Sequence, residues 1–147
     1  VGTVHCGDLD IAGKSEKELQ KIRKEEIGFA SQDALVFDDL SVIANVKVGG
    51  GTTERCLELL DGAGLSDFEN MSGGRISGGE RQRVGVAQAL AKDPSMVLMD
   101  EPTSSLDKAA SALVIAQLRA AADRGAAVLV ATHDDMVKDE ADQVIQL

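Results

Sequence analysis

Two adjacent carboxylates, Asp100 and Glu101, close the apolar run Met96-Val97-Leu98-Met99. A strand that delivers an aspartate and a glutamate to its carboxyl end can hold Mg²⁺ with the first. The second can then orient or deprotonate a water. Taken alone, an acidic pair is an ordinary polar strand terminus. Its setting argues for more: Pro102-Thr103-Ser104-Ser105-Leu106-Asp107 follows it, and Ser77-Gly78-Gly79 opens a helix upstream. Glycines let a phosphate approach the backbone, and helix N-terminal amides with the helix dipole favour an anion. The same tripeptide occurs at Ser72-Gly73-Gly74, which reads as a loop, since only the second copy runs into Glu80-Arg81-Gln82-Arg83-Val84 and a helix leading to the carboxylates. His133 closes a second apolar run, residues 127–131, and Gln32 closes a shorter one, residues 27–31. If these strands run parallel, all four side chains reach one sheet edge, where open α/β sheets bind ligands. A metal-and-base pair beside anion-binding amides is what hydrolysis of a nucleoside triphosphate requires.

The elements that must position these residues alternate in type. Residues 1–8 read as a short strand ending at Gly7, and Ser15-Glu16-Lys17-Glu18 has capping-box spacing, which predicts a polar helix from Glu16 to Lys24. A strand over 27–31 and a loop over 33–39 follow, and Ser41 caps a brief helical turn reaching Val46. Past Gly49-Gly50-Gly51, the spacing predicts a helix over 53–61 with Cys56, Leu57 and Leu60 on one face, ended by Gly62 and Gly64. The helix after Ser77 presents Val84, Ala87, Leu90 and Ala91 on an apolar face opposed by Arg81, Gln88 and Lys92. Runs 96–99 and 127–131 lack alternation, as strands buried on both faces of a parallel sheet do. Between them lies a helix over 108–123 with Ala110, Val114, Leu118 and Ala121 inward, closed by Gly125. A short helix and a last strand near Val144-Ile145 complete the α/β pattern.

Composition bounds the partners. The 147 residues are one domain or part of one, and 44% hydrophobic content suffices for a core built on aliphatics, with three Phe and no Tyr or Trp. A formal charge of −10 argues against a nucleic-acid partner, which would want a basic patch. Cys6 and Cys56 lack metal-ligand spacing and read as reduced thiols. No apolar run approaches the roughly 18 residues of a membrane span, and none reads as a signal peptide, so no direct membrane insertion is expected.

The ordered series Gln32, Ser77 to Gly79, Asp100-Glu101, Asp107 and His133 resembles the ATP-binding cassette (ABC) ATPases over nearly the whole chain. Gly7-Asp8-Leu9-Asp10 and Glu18-Leu19-Gln20-Lys21-Ile22-Arg23, leading into Ile27-Gly28-Phe29, are similar to the lipoprotein-release and macrolide-export subfamily. The resemblance implies a P-loop NTPase-like parallel sheet flanked by helices, with a helical subdomain bearing the signature motif. The parts would be core (residues 1–32), helical subdomain and signature (33–79), and signature helix with the remaining core (80–147). It implies ATP and Mg²⁺ as ligands, with Asp100 as the Walker B metal residue and Glu101 as catalytic base. Gln32 would sense metal and attacking water, His133 would contact the γ-phosphate, and Asp107 would be the D-loop aspartate. Ser77, Gly78 and Gly79 would contact ATP held by a second ATPase subunit. A transmembrane permease would be the other partner, and the location cytoplasmic, on the inner face of the cell membrane. A catalytically silent partner subunit and a soluble ABC ATPase outside transport are the alternatives.

One part of the pattern is not met. A P-loop reads Gly-x-x-x-x-Gly-Lys followed by Ser or Thr. Counting back from Gly13-Lys14-Ser15, the first glycine position holds Asp8, Gly7 is one residue too far, and Asp10 would face the phosphates. The stretch therefore reads as a turn and a helix cap, and Gly49-Gly50-Gly51-Thr52-Thr53 has no lysine. The expectation is a portion of a longer ATPase without its P-loop strand and helix. It would expose apolar sheet faces, be poorly stable alone, and have an uncertain permease-docking region between Asn45 and Gly64.

Overall fold

A computed structural model describes residues 3, 5–6 and 9–146. The strand expected over residues 1–8 falls largely outside them, at Val1, Gly2, Val4, Gly7 and Asp8. The described part is a two-residue strand β1 (His5–Cys6) paired antiparallel with β2 (Leu9–Asp10), a hairpin the sequence pattern did not foretell. Helix α1 (Glu16–Glu26) starts where the capping box put it. Ser15 Oγ accepts from the Glu18 amide at 3.4 Å while Glu18 Oε2 accepts from the Ser15 amide at 2.8 Å. Gly13 takes a left-handed φ of 82° in the turn before it, so Gly13-Lys14-Ser15 forms a turn and a cap.

Strand β3 (Ile27–Ala30) leads into the loop containing Gln32, and α2 (Val42–Lys47) follows under a Ser41 cap. Helix α3 (Thr53–Gly62) is capped by Thr52. Its buried stripe is Cys56, Leu59 and Leu60, while Leu57 is exposed. Positions 56, 59 and 60 share a face at 3.6 residues per turn, and position 57 lies a quarter-turn away. A 3₁₀ turn at Gly73–Arg75 contains the Ser72-Gly73-Gly74 loop, whose Ser72 hydroxyl donates to the Asp38 carbonyl at 2.6 Å.

Helix α4 (Gly78–Leu90) is buried nearly all round. Beyond the expected Val84, Ala87, Leu90 and Ala91, it buries Gln82, Gly85, Val86 and Ala89, and Arg81, Gln88 and Lys92 are half-covered rather than solvated. It is the central helix, packed against β3, α2 and α3.

Strand β4 (Met96–Asp100), α5 (Lys108–Asp123), β5 (Ala127–Ala131) and α6 (Asp135–Asp139) complete the strands and α-helices among the described residues. On α5 the buried line is Ser111, Val114, Gln117, Leu118 and Ala121, with Ala110 at its margin. The sheet order is β3-β4-β5, all parallel, in register Phe29↔Leu98↔Leu129 and Ala30↔Met99↔Val130. One face, carrying Ala30, Val97 and Met99, lies in the core. The other carries Phe29 and Leu129, each 63% exposed. Two expectations are corrected here: β4 is half-covered at Met96 and Leu98, and β5 alternates between exposed and intermediate. The physical reason is that α4 packs on β3 and α5 on β5 while no described element covers the second face. The expected strand at Val144-Ile145 is also corrected: both side chains are exposed and, among the described residues, they join no ladder.

Candidate active site

Parallel pairing brings the carboxyl ends of β3, β4 and β5 to one edge, and an open cleft of about 710 Å³ lies there. Gln32, Asp100, Glu101, Thr103, Ser104, His133 and Asp134 line it. Gln32, Asp100, Glu101 and His133, each expected at the end of an apolar run, thus come from three separate strand ends to a single cavity.

Glu101 is the most constrained of them. Its backbone is left-handed, with φ 48°, a region that costs a residue with a Cβ some energy and recurs at functional sites. Its amide donates to the Ala131 carbonyl at 2.8 Å, extending the β4–β5 ladder by one bond. Its carbonyl accepts from the Ser104 amide at 3.3 Å and the Ser104 hydroxyl at 3.1 Å. The carboxylate is held as well: Oε2 accepts from the Thr132 hydroxyl and Oε1 from the His133 amide, each at 3.1 Å. The His133 imidazole is fully exposed, with Nε2 3.7 Å from Glu101 Oε1. Asp100, the last residue of β4, is exposed and paired in register with Ala131.

Ser77, Gly78, Gly79 and Asp107 do not line this cleft. Ser77 caps α4 in a reciprocal box, accepting from the Glu80 amide at 3.3 Å while Glu80 Oε2 accepts from the Ser77 amide at 2.7 Å. Ser77 and Gly78 are solvent-exposed, and a Cβ built on Gly78 would meet nothing within 4 Å, so the helix start is open to an incoming group. A Cβ on Gly79 would come 3.3 Å from the Ser105 carbonyl, which places the turn against the segment after Glu101. Asp107 is exposed and caps α5 through Oδ1, which accepts from the Ala110 amide at 2.8 Å.

Several contributors escaped sequence reasoning. Thr103, Ser104 and Asp134 line the cleft, and Thr132 reaches Glu101 through its hydroxyl; no periodicity or strand-end position marked them. Arg81, read as solvated, donates to Asp38 Oδ1 and the Gly73 carbonyl at 2.8 Å and to the Val36 carbonyl at 2.9 Å. It fastens the segment after Gln32 to α4. Asn45, wholly buried, holds the same segment from α2 through the Phe37 amide at 2.7 Å.

The donor set fits Mg²⁺. No group of three or more potential metal ligands occurs among the described residues, so this is no all-protein cage. Magnesium is typically bound by one or two carboxylates with substrate phosphates and waters, which Asp100 beside Gln32 and Glu101 can supply.

This α/β sheet with an acidic strand end and a capped Gly-Gly helix start is of the P-loop NTPase kind. A family model described as ABC transporter matches residues 2–104. The lipoprotein-releasing system ATP-binding protein of Gluconobacter oxydans is 36% identical over 155 residues, covering 99% of this chain and 67% of that protein. The phosphonates import ATP-binding protein of Hyphomonas neptunium is 34% identical over 163 residues, covering 98% of this chain and 61% of that protein. The macrolide export ATP-binding/permease protein of Shigella flexneri is 36% identical over 154 residues, with 99% and 24% covered. A solved ATP-binding cassette, dimeric in a post-hydrolysis state with ADP and Pi, superposes with TM-score 0.84 at 30% identity over 97% of this chain and 67% of that one. The chain belongs to the ABC transporter family and spans between a quarter and two thirds of the length of these relatives. No described helix is long and apolar enough to cross a membrane.

Proposed function

We propose that the chain is ATPase machinery of an ABC transporter, in which ATP hydrolysis drives a membrane permease. The observation that carries this reading is the convergence of Gln32, Asp100, Glu101 and His133 on one cleft at the carboxyl edge of a parallel sheet.

In this reading Asp100 would hold Mg²⁺, with Gln32 beside the metal and the attacking water. Mg²⁺ held there would supply neutralisation of the charge that develops on the phosphates. Glu101 accepts a proton from the attacking water at the carboxylate lone pairs its two protein donors leave free. His133, exposed and next to Glu101, would contact the γ-phosphate. Ser77 to Gly79 and Asp107 serve ATP held by a second ATPase subunit, consistent with an open α4 N-terminus outside the cleft. No Gly-x-x-x-x-Gly-Lys-Ser/Thr stretch occurs in the 147 residues. These residues therefore account for the metal, water and γ-phosphate side of the reaction, not for a cradle of backbone amides around the β-phosphate. The division at residues 1–32, 33–79 and 80–147 goes with this assignment, as does a peripheral position on the cytoplasmic face of the membrane. Resemblance to lipoprotein-releasing and macrolide-export proteins favours a substrate moved outward; the phosphonates import relative is the competing direction.

The test is Glu101→Gln in the full-length protein, which keeps the size and removes the base. ATP turnover falls by about 10²–10⁴ while Mg-ATP affinity is retained. Turnover within threefold of wild type would remove Glu101 from the chemistry and the proposal with it.

A further inference from the structure

The assignment of Glu101 leaves open what aims its carboxylate, and the hydrogen bonds around Thr132 answer that. Thr132 follows the last residue of β5 and lies between two groups. Its Oγ1 accepts from the Asp134 amide at 3.0 Å and donates to Glu101 Oε2 at 3.1 Å. A hydroxyl has one proton and two lone pairs. The Asp134 amide can only donate, so the hydroxyl proton is left for the carboxylate. The His133 amide meets the other oxygen, Oε1, at 3.1 Å. Each carboxylate oxygen is thus gripped by one donor from the same three-residue stretch.

A glutamate in water samples many rotamers, and its backbone here occupies a left-handed well that gives the side chain no help of its own. Two donors fixed on one turn select a single orientation. An ionised carboxylate offers about four lone-pair sites, so gripping one on each oxygen leaves room for a water. The Asp134 carboxylate in turn accepts from the Met136 amide at 2.9 Å and caps α6, so the start of α6 is wired to Glu101 through one hydroxyl.

We propose that Thr132 is a positioning residue for Glu101, acting through its hydroxyl and not through its methyl group. This rests on the assignment of Glu101 as the base. It requires that a hydroxyl at position 132 be sufficient and that an isosteric methyl not be.

The experiment compares Thr132→Val, Thr132→Ser and Thr132→Ala with Glu101→Gln in the full-length protein. It reads kcat and KM for Mg-ATP and, without nucleotide, hydrogen–deuterium exchange at the Asp134 and His133 amides. The expected result is a kcat at least about tenfold lower in Thr132→Val and Thr132→Ala with KM unchanged, and recovery to within about threefold in Thr132→Ser. The Asp134 amide, having lost its acceptor, exchanges faster in the Val and Ala variants and as in wild type in the Ser variant. Should Thr132→Val fail to fold, the Ser and Ala pair carries the same contrast. Serine as impaired as valine or alanine overturns the proposal, since the methyl would then be what matters. Wild-type kcat and exchange in the Val or Ala variant overturn it too. The base assignment fails separately: Glu101→Gln at wild-type turnover rejects it, whereas an inactive Glu101→Gln beside unaffected Thr132 variants rejects the clamp alone.

Discussion

Asn45 offers a perturbation whose size can be worked from the geometry. It is wholly buried in α2, and its side chain closes the segment that follows Gln32. Oδ1 accepts from the Phe37 amide at 2.7 Å, and Nδ2 donates to the carbonyls of Phe37, Leu40 and Ser41 at 3.0, 3.3 and 3.0 Å. Each of those carbonyls also accepts a backbone amide, from Leu40, Gly73 and Asn45 at 3.3, 2.8 and 2.9 Å. Replacement by leucine therefore orphans only the Phe37 N–H, whose desolvation costs about 1–3 kcal/mol. The lost amide donations add about 1 kcal/mol more, because their acceptors remain served. Asn45→Asp behaves differently. It keeps an acceptor for Phe37 but turns a carboxylate oxygen toward three carbonyls, away from water. Burial and carbonyl repulsion raise that carboxyl above its unfolded value near about 3.9. Between the two values the folded state keeps a proton that the unfolded chain has released. Stability accordingly falls as pH rises through that window and recovers toward the unfolded value. Unfolding by urea at pH 5.5 and 7.5 keeps clear of the isoelectric point near 4.6. The deficit of Asn45→Asp relative to wild type should deepen by more than about 1 kcal/mol across that interval, each unit being worth up to about 1.4 kcal/mol. The deficit of Asn45→Leu should not move. An Asp variant with the same deficit at both pH values would show that the side chain is not held against those carbonyls, and the reasoning would fail.

Three further outcomes follow from single contacts. Gly28→Ala pushes a Cβ into the Ala89 carbonyl and to 2.9 Å from Pro94 Cγ, both on the far side of the β3–α4 contact. Overpacking of this kind costs about 1–3 kcal/mol, and an unchanged urea midpoint would contradict it. Ser15→Ala removes a capping box and frays α1 by about 1 kcal/mol, seen as faster amide exchange over residues 16–20. Mg-ATP affinity stays unchanged, and a loss of affinity would restore Gly13-Lys14-Ser15 as a phosphate loop. Cys56 is buried, which pushes its thiol up against the weaker pull of Lys47 and Arg55. The raised thiol contributes its stability in full below the unfolded value of about 8.5 and loses it as pH climbs from there through the higher folded value. In a Cys6→Ser background, labelling by a thiol reagent should wait on unfolding, and immediate native-state labelling would place Cys56 at the surface.

Why the site was legible and its supports were not comes down to the range of the forces involved. Asp100, Glu101, Gln32 and His133 each stand at the end of an apolar run, so strand periodicity and parallel pairing suffice to gather them. The caps at Ser15, Ser77 and Asp107 are likewise contests within one helical turn and could be read locally. Burial is another matter. The apolar runs of β4 and β5 imply two covered faces, yet Leu129 of β5 stands 63% exposed, because cover is a property of what packs on the sheet and not of the strand. Polar side chains mislead for the same reason. Arg81 and Asn45 occupy helix positions a periodicity count calls solvated or neutral, and both satisfy carbonyls of the loop after Gln32, which cannot bond within a regular element. That loop has to be held from outside if Gln32 is to face the cleft at all. Asn45 on α2 and the half-covered Arg81 on α4 therefore stand to the glutamine as Thr132 stands to Glu101: each reacting group comes from a strand end, and its aim comes from a hydrogen bond that no local pattern announces.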